Sequence, residues 1–264
     1  MYNRSVHISG IPSARKKLSR ATAHLAELRA AVERFRAEHP YEFASESPGN
    51  EPGKPDIPIT VTVVKAHPIP DDWALITGDI LTNVRAALDH AVFPHIRAKK
   101  PDLERNLIQY PIEYRKAQWE NKKKWFKSPV TKVIGQSQPY RMGNDYSGHP
   151  FRVLRELVNQ DKHRDLVIAS YAMSAFNVIP RDLYTVVSTT VHQVPMEVGV
   201  VVAEAHLRLA QNVHGWRWEQ VPSEVEYGEF IEIPGSEPLN LLTAMQGIVN
   251  PISELLGELE AAGC

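Results

Sequence analysis

Residues 73–94 read WALITGDILTNVRAALDHAVFP, an apolar run in which the placing of a few polar letters decides the fold. At about 100° per residue, Ile76, Ile80, Leu81, Val84, Leu88 and Ala91 fall on one face of a helix, while Asp79, Asn83, Ala86 and His90 line another. Arg85 and Asp89 form a third stripe and can pair across one helical turn. So full an apolar face belongs in a core. The polar side chains at its margin, Asp79, Asn83, Arg85, Asp89 and His90, must then find partners, bind something or reach water. This helix is therefore the first candidate for a functional site.

Upstream, Ile59, Val61 and Val63 alternate with Thr60 and Thr62, the pattern of a half-buried strand. Residues 40–58, PYEFASESPGNEPGKPDIP, are rich in proline, glycine and charge and read as a mobile loop or linker. Nearer the N-terminus, Ile11, Ala14, Leu18, Ala21, Leu25, Leu28, Val32 and Phe35 step alternately by three and four. This is a heptad seam that Pro12 opens and His39-Pro40 closes. Leu241, Met245, Ile248, Ile252, Leu255 and Leu259 repeat the pattern in a helix over 239–260, where Pro251 predicts a bend. The two seams can zip as an antiparallel pair, or either can meet its copy in a homodimer.

Downstream, Glu113 to Phe126 reads as a further helix by pattern. QSQPYRMGNDYSGHP reads as turns, and FRVLRELVNQDKHRDL begins as a helix burying Phe151, Leu154, Leu157 and Val158. From Leu166 to Ile233 the runs VIASYAMSAFNV, LYTVVSTTVHQV, AEAHLRLAQN and EYGEFIEIP are β-branched and broken by turn residues, as in an antiparallel meander. Helices, then strands, then a closing helix give the α+β class. The expected architecture is a helical bundle with long N- and C-terminal helices plus an antiparallel β-meander. It forms one domain over 1–264, with motif-bearing helices in 73–166 and a β-rich part in 166–233.

A chain of 264 residues with 43% hydrophobic content can build a substantial core. Its 30 Lys+Arg against 31 Asp+Glu leave a formal charge of -1, so any anion site must be a local patch rather than a global basic field. One cysteine, Cys264, excludes internal disulfides and thiolate zinc centres and fits a reducing compartment. The opening MYNRSVHISGIPSARKKLSR holds no apolar signal core, and no run nears the ~20 apolar residues of a membrane span. The expectation is a cytoplasmic protein with no membrane partner. No P-loop, G-x-G-x-x-G turn or G-x-S-x-G elbow is present, which argues against an NTPase, a dinucleotide enzyme or an α/β-hydrolase.

RAALDH, Arg85 to His90, sets a histidine five positions after an arginine on a bundle helix. It resembles the R-x(4)-H signature of the HEPN superfamily, many of whose members are metal-independent ribonucleases. The resemblance implies that His90 exchanges the ribose 2′-hydroxyl proton while Arg85 steadies the phosphorane, with no cofactor. It also implies a role in toxin, stress or phage-defence systems. This chain departs from many members in having Ala86 where they carry a polar residue. Positions five apart also lie roughly 140° from each other around a regular helix. A shared face then needs a bend, a long arginine reach or a second subunit, and the superfamily commonly builds its site across a dimer. The plainer reading pairs Arg85 with Asp89 and makes His90 a satisfied core histidine.

NQDKHR, Asn159 to Arg164, reads by itself as a charged helix C-terminus. Taken with GDILTNVRAALDHAVF, the YPI of Tyr110 to Ile112 and the QPY of Gln138 to Tyr140, it is similar to a family of bacterial proteins of unassigned activity. These carry a "GD.L.NLR.ALDH" helix and a later "N.DKHR", and the similarity covers residues 73–166. It implies that Asp79, Asn83, Arg85, Asp89 and His90 converge with Asp161, His163 and Arg164 in one polar centre, catalytic or structural. Asp79, His90, Asp161 and His163 suit zinc or manganese by type, but no HExxH or dense ligand cluster accompanies them. In WENKKKWFK, Trp119 or Trp125 can stack bases while Lys122, Lys123, Lys124 and Lys127 hold RNA phosphates. The alternative is an amphipathic helix with Trp119 and Phe126 in the core. Two functions stand: an RNA-cleaving or RNA-binding protein, and a non-catalytic interaction module whose polar core fixes helix register.

Overall fold

The segment 73–94 is helical throughout and lies inside α2, Asp72–Lys99, which continues through Pro94 for another turn. Its buried positions are Trp73, Thr77, Gly78, Ile80, Leu81, Val84, Ala87, Leu88, Ala91, Val92, His95 and Ile96. Full burial of each large aliphatic side chain among these is worth about 1.5–3 kcal/mol. The computed structural model describes residues 10–47, 56–143, 146–178, 184–210 and 223–264. The class is α+β, with long helices at both ends of the chain and antiparallel strands between them.

The chain, read above as one α+β domain, packs as two compact units. One comprises Met1–Ala31, Asp71–Val167 and Ile231–Cys264, the other Val32–Pro70 and Ile168–Phe230. The first unit is helical. It contains most of α1 (Ile11–Ala37), then α2, α3 (Lys116–Lys122), α4 (Ser128–Gln136), α5 (Pro150–Asp161) and α6 (Leu241–Ala261). α2 packs on α5 and α6, and both α4 and α5 pack on α6. Arg15, near the start of α1, pairs with Glu260 near the end of α6 at 2.8 Å, and Leu25 borders the same groove as Val249. The two end helices therefore lie antiparallel. Their seam residues Ala14, Ala21, Leu25 and Leu28, and Leu241, Met245, Ile248, Ile252, Leu255 and Leu259, are buried within one chain. α6 runs through Pro251 as a single element.

The expected helix from Glu113 to Phe126 is shorter: α3 gives way to a 3-10 turn at Lys123–Trp125. α4 is an added short helix that begins with Pro129 in its first turn. The expected turns between α4 and α5 include a 3-10 turn at Pro139–Met142, while Asn144 and Asp145 lie outside the described residues.

In the second unit the strands are β1 (Tyr41–Glu46), β2 (Asp56–Ala66), β3 (Ile168–Val178), β4 (Tyr184–Val191) and β5 (Val201–Leu209), and β6 is Ser223–Ile231. One sheet has the order β1-β2-β5-β4, with antiparallel pairs, and β3 pairs with β6 in another. β2 alternates as its sequence predicts, burying Ile57, Ile59, Val61 and Val63. β1 corrects the loop reading of 40–58. Its ladder with β2, the Glu42–Lys65 ion pair and the edge-on contact of Tyr41 with Tyr227 supply what a proline-rich local sequence lacks. Residues 48–55 of that stretch, Leu183 of the second β run, and Gln211 and Asn212 of the third lie outside the described residues. His39 has φ +50°, the left-handed conformation that stops α1 just before Pro40.

Near the C-terminal end of α2, buried His95 accepts the Lys127 N–H at Nε2 (3.0 Å) and hydrogen-bonds the Gly263 backbone. The ring must therefore be neutral, and burial holds its pKa below the ordinary histidine value. A depressed folded pKa means stability present above ~6.5 and lost as pH falls through the folded value. His95→Leu is expected to cost about 1–2 kcal/mol at pH 8. The gap to wild type should narrow as pH falls below about 6.5 in urea melts; a gap that widened on acidification would contradict this role.

Candidate functional site

The site is organised around residues 108–113, an extended stretch that carries the YPI motif and joins no sheet. With no strand neighbour, its backbone groups depend on side chains for partners. Asp89 Oδ1 accepts the Tyr110 N–H at 2.8 Å, and the Arg85 guanidinium donates to the Tyr110 carbonyl at 3.0 Å. Arg85 and Asp89 meet each other at 3.0 Å, so an i,i+4 pair on α2 grips both sides of one residue. Gln138, fully buried, donates to the Pro111 carbonyl at 3.0 Å and accepts the Glu113 N–H at 2.9 Å. Arg155 of α5 donates to the Ile112 carbonyl at 2.6 Å and stacks its guanidinium on the Tyr114 ring, 4.7 Å from the centroid. The Tyr110 hydroxyl lies 2.6 Å from Ser137 Oγ in the core, where burial pushes its pKa up.

Four of the quoted motif segments thus meet, and their meeting leaves a cleft of about 240 Å³. It is lined by Arg85, Gln109, Tyr110, Ile112, Glu113, Lys122, Arg155, Val158, Asn159 and Lys162. Four of these side chains are cationic and one is a carboxylate. Arg85 is matched by Asp89 and Lys122 by Glu113 at 2.6 Å, whereas Arg155 and Lys162 have no carboxylate partner among the described residues. Burial pushes the Asp89 carboxyl above its ordinary pKa, while the Arg85 charge and the Tyr110 N–H pull it down. The cleft has a polar floor, a cationic surplus and an open mouth, the chemistry of an anion site.

The single polar centre implied by the sequence resemblance is divided. Arg85 lines the cleft, and Asp89 pairs with it. His90 turns to the start of α1, with Nδ1 2.8 Å from Ser13 Oγ and its carbonyl accepting the Gly10 N–H at 3.1 Å. His90 does not line the cleft. The helical angle explains the split, because five residues carry the two side chains to opposed flanks. Asp79 and Asp161 form a third group. The Asp161 carboxylate occupies the space left by Gly78, where a Cβ would stand 2.7 Å from Oδ1, and Asp79 Oδ2 is 3.9 Å from His24 Nε2. Asn83 donates to the Asp79 carbonyl of its own helix at 2.8 Å. His163 and Arg164 are exposed, without side-chain partners among the described residues. The metal alternative fails on the same geometry. Among the described residues no three His, Cys, Asp or Glu groups come together to hold an ion.

Trp119 is 4% exposed, tilted against Phe126 and in contact with Gly135, so it offers no face to a base. Lys122 reaches the cleft, Lys123 pairs with Glu120, and Lys124 and Lys127 are exposed. Sequence reasoning missed Gln138, Arg155, Glu113 and Lys162 as site residues. Gln138 and Lys162 sat inside the quoted motifs, and Arg155 flanks the apolar stripe of α5 beside Leu154; Glu113 carried no local signal.

Comparison with protein-family models, curated proteins and solved structures finds no match. Among the described residues no helix is long and apolar enough to cross a membrane.

Two measurements test the groups described. Arg85→Met should cost about 2–3 kcal/mol in chemical denaturation, because it strands the Asp89 carboxylate and the Tyr110 carbonyl together; a loss under 0.5 kcal/mol is incompatible with the grip described. For Asp161, burial first and then repulsion from Asp79 and Asp165 raise the carboxyl pKa. A raised folded pKa means stability lost as pH rises through it. Asp161→Asn should therefore melt above wild type at pH 7, with the advantage vanishing below the ordinary carboxylate range of ~3.9.

Proposed function

We propose that this chain is a cytoplasmic RNA-binding protein that seats a backbone phosphate in the cleft over residues 108–113, without cutting the strand. The observation that carries the reading is the pair of cations lining the cleft, Arg155 and Lys162, that lack a carboxylate partner among the described residues. A neutral ligand would leave that charge uncompensated, whereas a phosphate oxyanion matches it. The choice of a polymer rests on Lys122. It belongs both to the cleft and to the segment where Lys124 and Lys127 are exposed, so spaced cations continue beyond a single phosphate.

The separation of His90 from Arg85 favours holding over cleaving. Transesterification needs a proton-transfer group within hydrogen-bond reach of the 2′-hydroxyl while the guanidinium holds the same phosphate. In one chain the imidazole instead faces Ser13. The resemblance to the HEPN superfamily then extends to the shape of the helix and its arginine, with the histidine in a packing role.

Anisotropy titration of a labelled, mixed-sequence single-stranded RNA in EDTA tests this. Binding should weaken with salt, and Lys162→Ala should weaken it about threefold to tenfold and shallow the log–log salt slope by about 0.7. The recovered RNA should be intact. Products with cyclic phosphate ends, lost in His90→Ala, would replace this reading by cleavage, and Lys162→Ala binding equal to wild type would remove the cleft from it.

A further inference from the structure

A carboxylate in the wall of an anion cleft calls for its own explanation. Glu113 is 4% exposed, lines the cleft, and sits beside four cationic side chains. Its backbone N–H is bound by Gln138, which fixes the residue, and its Oε1 takes the Lys122 ammonium at 2.6 Å. Oε2 has no hydrogen-bond partner among the described residues and is not sealed from solvent. A carboxylate oxygen open to an anion cleft repels phosphate, so it is matched by a part of the ligand that donates hydrogen bonds. The neighbouring Lys122 ammonium offers donors beside it, and Gln109 and Asn159 add amides to the same lining.

Resting on the RNA-binding reading above, we propose that the cleft is selective for guanine, with Glu113 reading the base edge while Arg155 and Lys162 hold the phosphate. Guanine is the one standard base with two adjacent donors, N1–H and the 2-amino group, on its pairing edge, flanked by the O6 acceptor. A carboxylate next to an ammonium is the complementary row: two acceptor oxygens for N1–H and the amino group, and a donor for O6. Adenine and cytosine present one amino group to the carboxylate, and uracil a single imino N–H. The cleft is smaller than the roughly 300–1,000 Å³ of pockets that enclose whole drug-sized ligands, which suits one nucleotide unit of a longer strand.

Displacement of the labelled RNA by nucleoside 5′-monophosphates tests the assignment. GMP should compete about tenfold better than AMP, CMP or UMP, in line with the worth of one bidentate base contact. IMP, which lacks only the 2-amino group, should fall between. Glu113→Gln should erase the ranking, so that GMP competes no better than AMP, CMP or UMP, with far-UV circular dichroism reporting whether the variant is folded. Equal competition by all four nucleotides with wild-type protein would overturn guanine selectivity and leave the phosphate cleft standing. Failure of the RNA itself to bind would overturn both. The wild-type ranking needs no variant, so an unfolded Glu113→Gln would not spare the proposal.

Discussion

The helical unit depends on one clasp: the Arg85–Asp89 pair holding the peptide groups of Tyr110 from both sides. An extended stretch that passes over a bundle without a sheet has donors and acceptors that water cannot reach, and each must be answered. α2 answers with two charged groups because they span a residue's N–H and carbonyl at once. Gln138 and Arg155 then hold the following residues in the same way. Partial burial of an ion pair is a poor source of net stability by itself, since desolvation offsets most of the attraction. Its worth here lies in fixing where 108–113 runs, and so where the cleft opens.

That constraint also separates the groups that a short motif seemed to unite. Within one chain Arg85 grips Tyr110, while His90, roughly 140° around the same helix, faces Ser13. His90 is drawn to Ser13, and Asp161 of α5 fits the gap at Gly78, so α2 meets three different neighbours along its length. Of these groups Asp161 is the one whose ionisation costs stability: burial first, and then repulsion from Asp79 and Asp165, raise its pKa.

The features legible in the sequence were those with a period. The three faces of α2, the two end seams and the alternation of β2 follow from spacings of 3.6, 3.5 or 2 residues, and the four later strands from β-branched runs broken by turn residues. β1 was not legible, because its strand character comes from pairing with β2 and from Tyr41 meeting Tyr227, residues far apart in the chain. At the site, the Arg85–Asp89 pair is a local matter and could be read off a helical wheel. The wall of the cleft could not: Gln138 and Arg155 act on backbone groups 25 or more positions away, a relation that no local pattern encodes. Trp119 failed as a base-stacking residue for the related reason that an amphipathic segment shows which residues are apolar, not how deeply they sink.

The stretch over the cleft owes its shape to side chains delivered by α2, by the turn after α4 and by α5, rather than to a ladder of its own. A newly made or partly melted chain therefore possesses all the positive charges but none of the concavity. Recognition is reserved for the finished bundle, and stray attraction of polyanions to an immature chain would be a different, shapeless event.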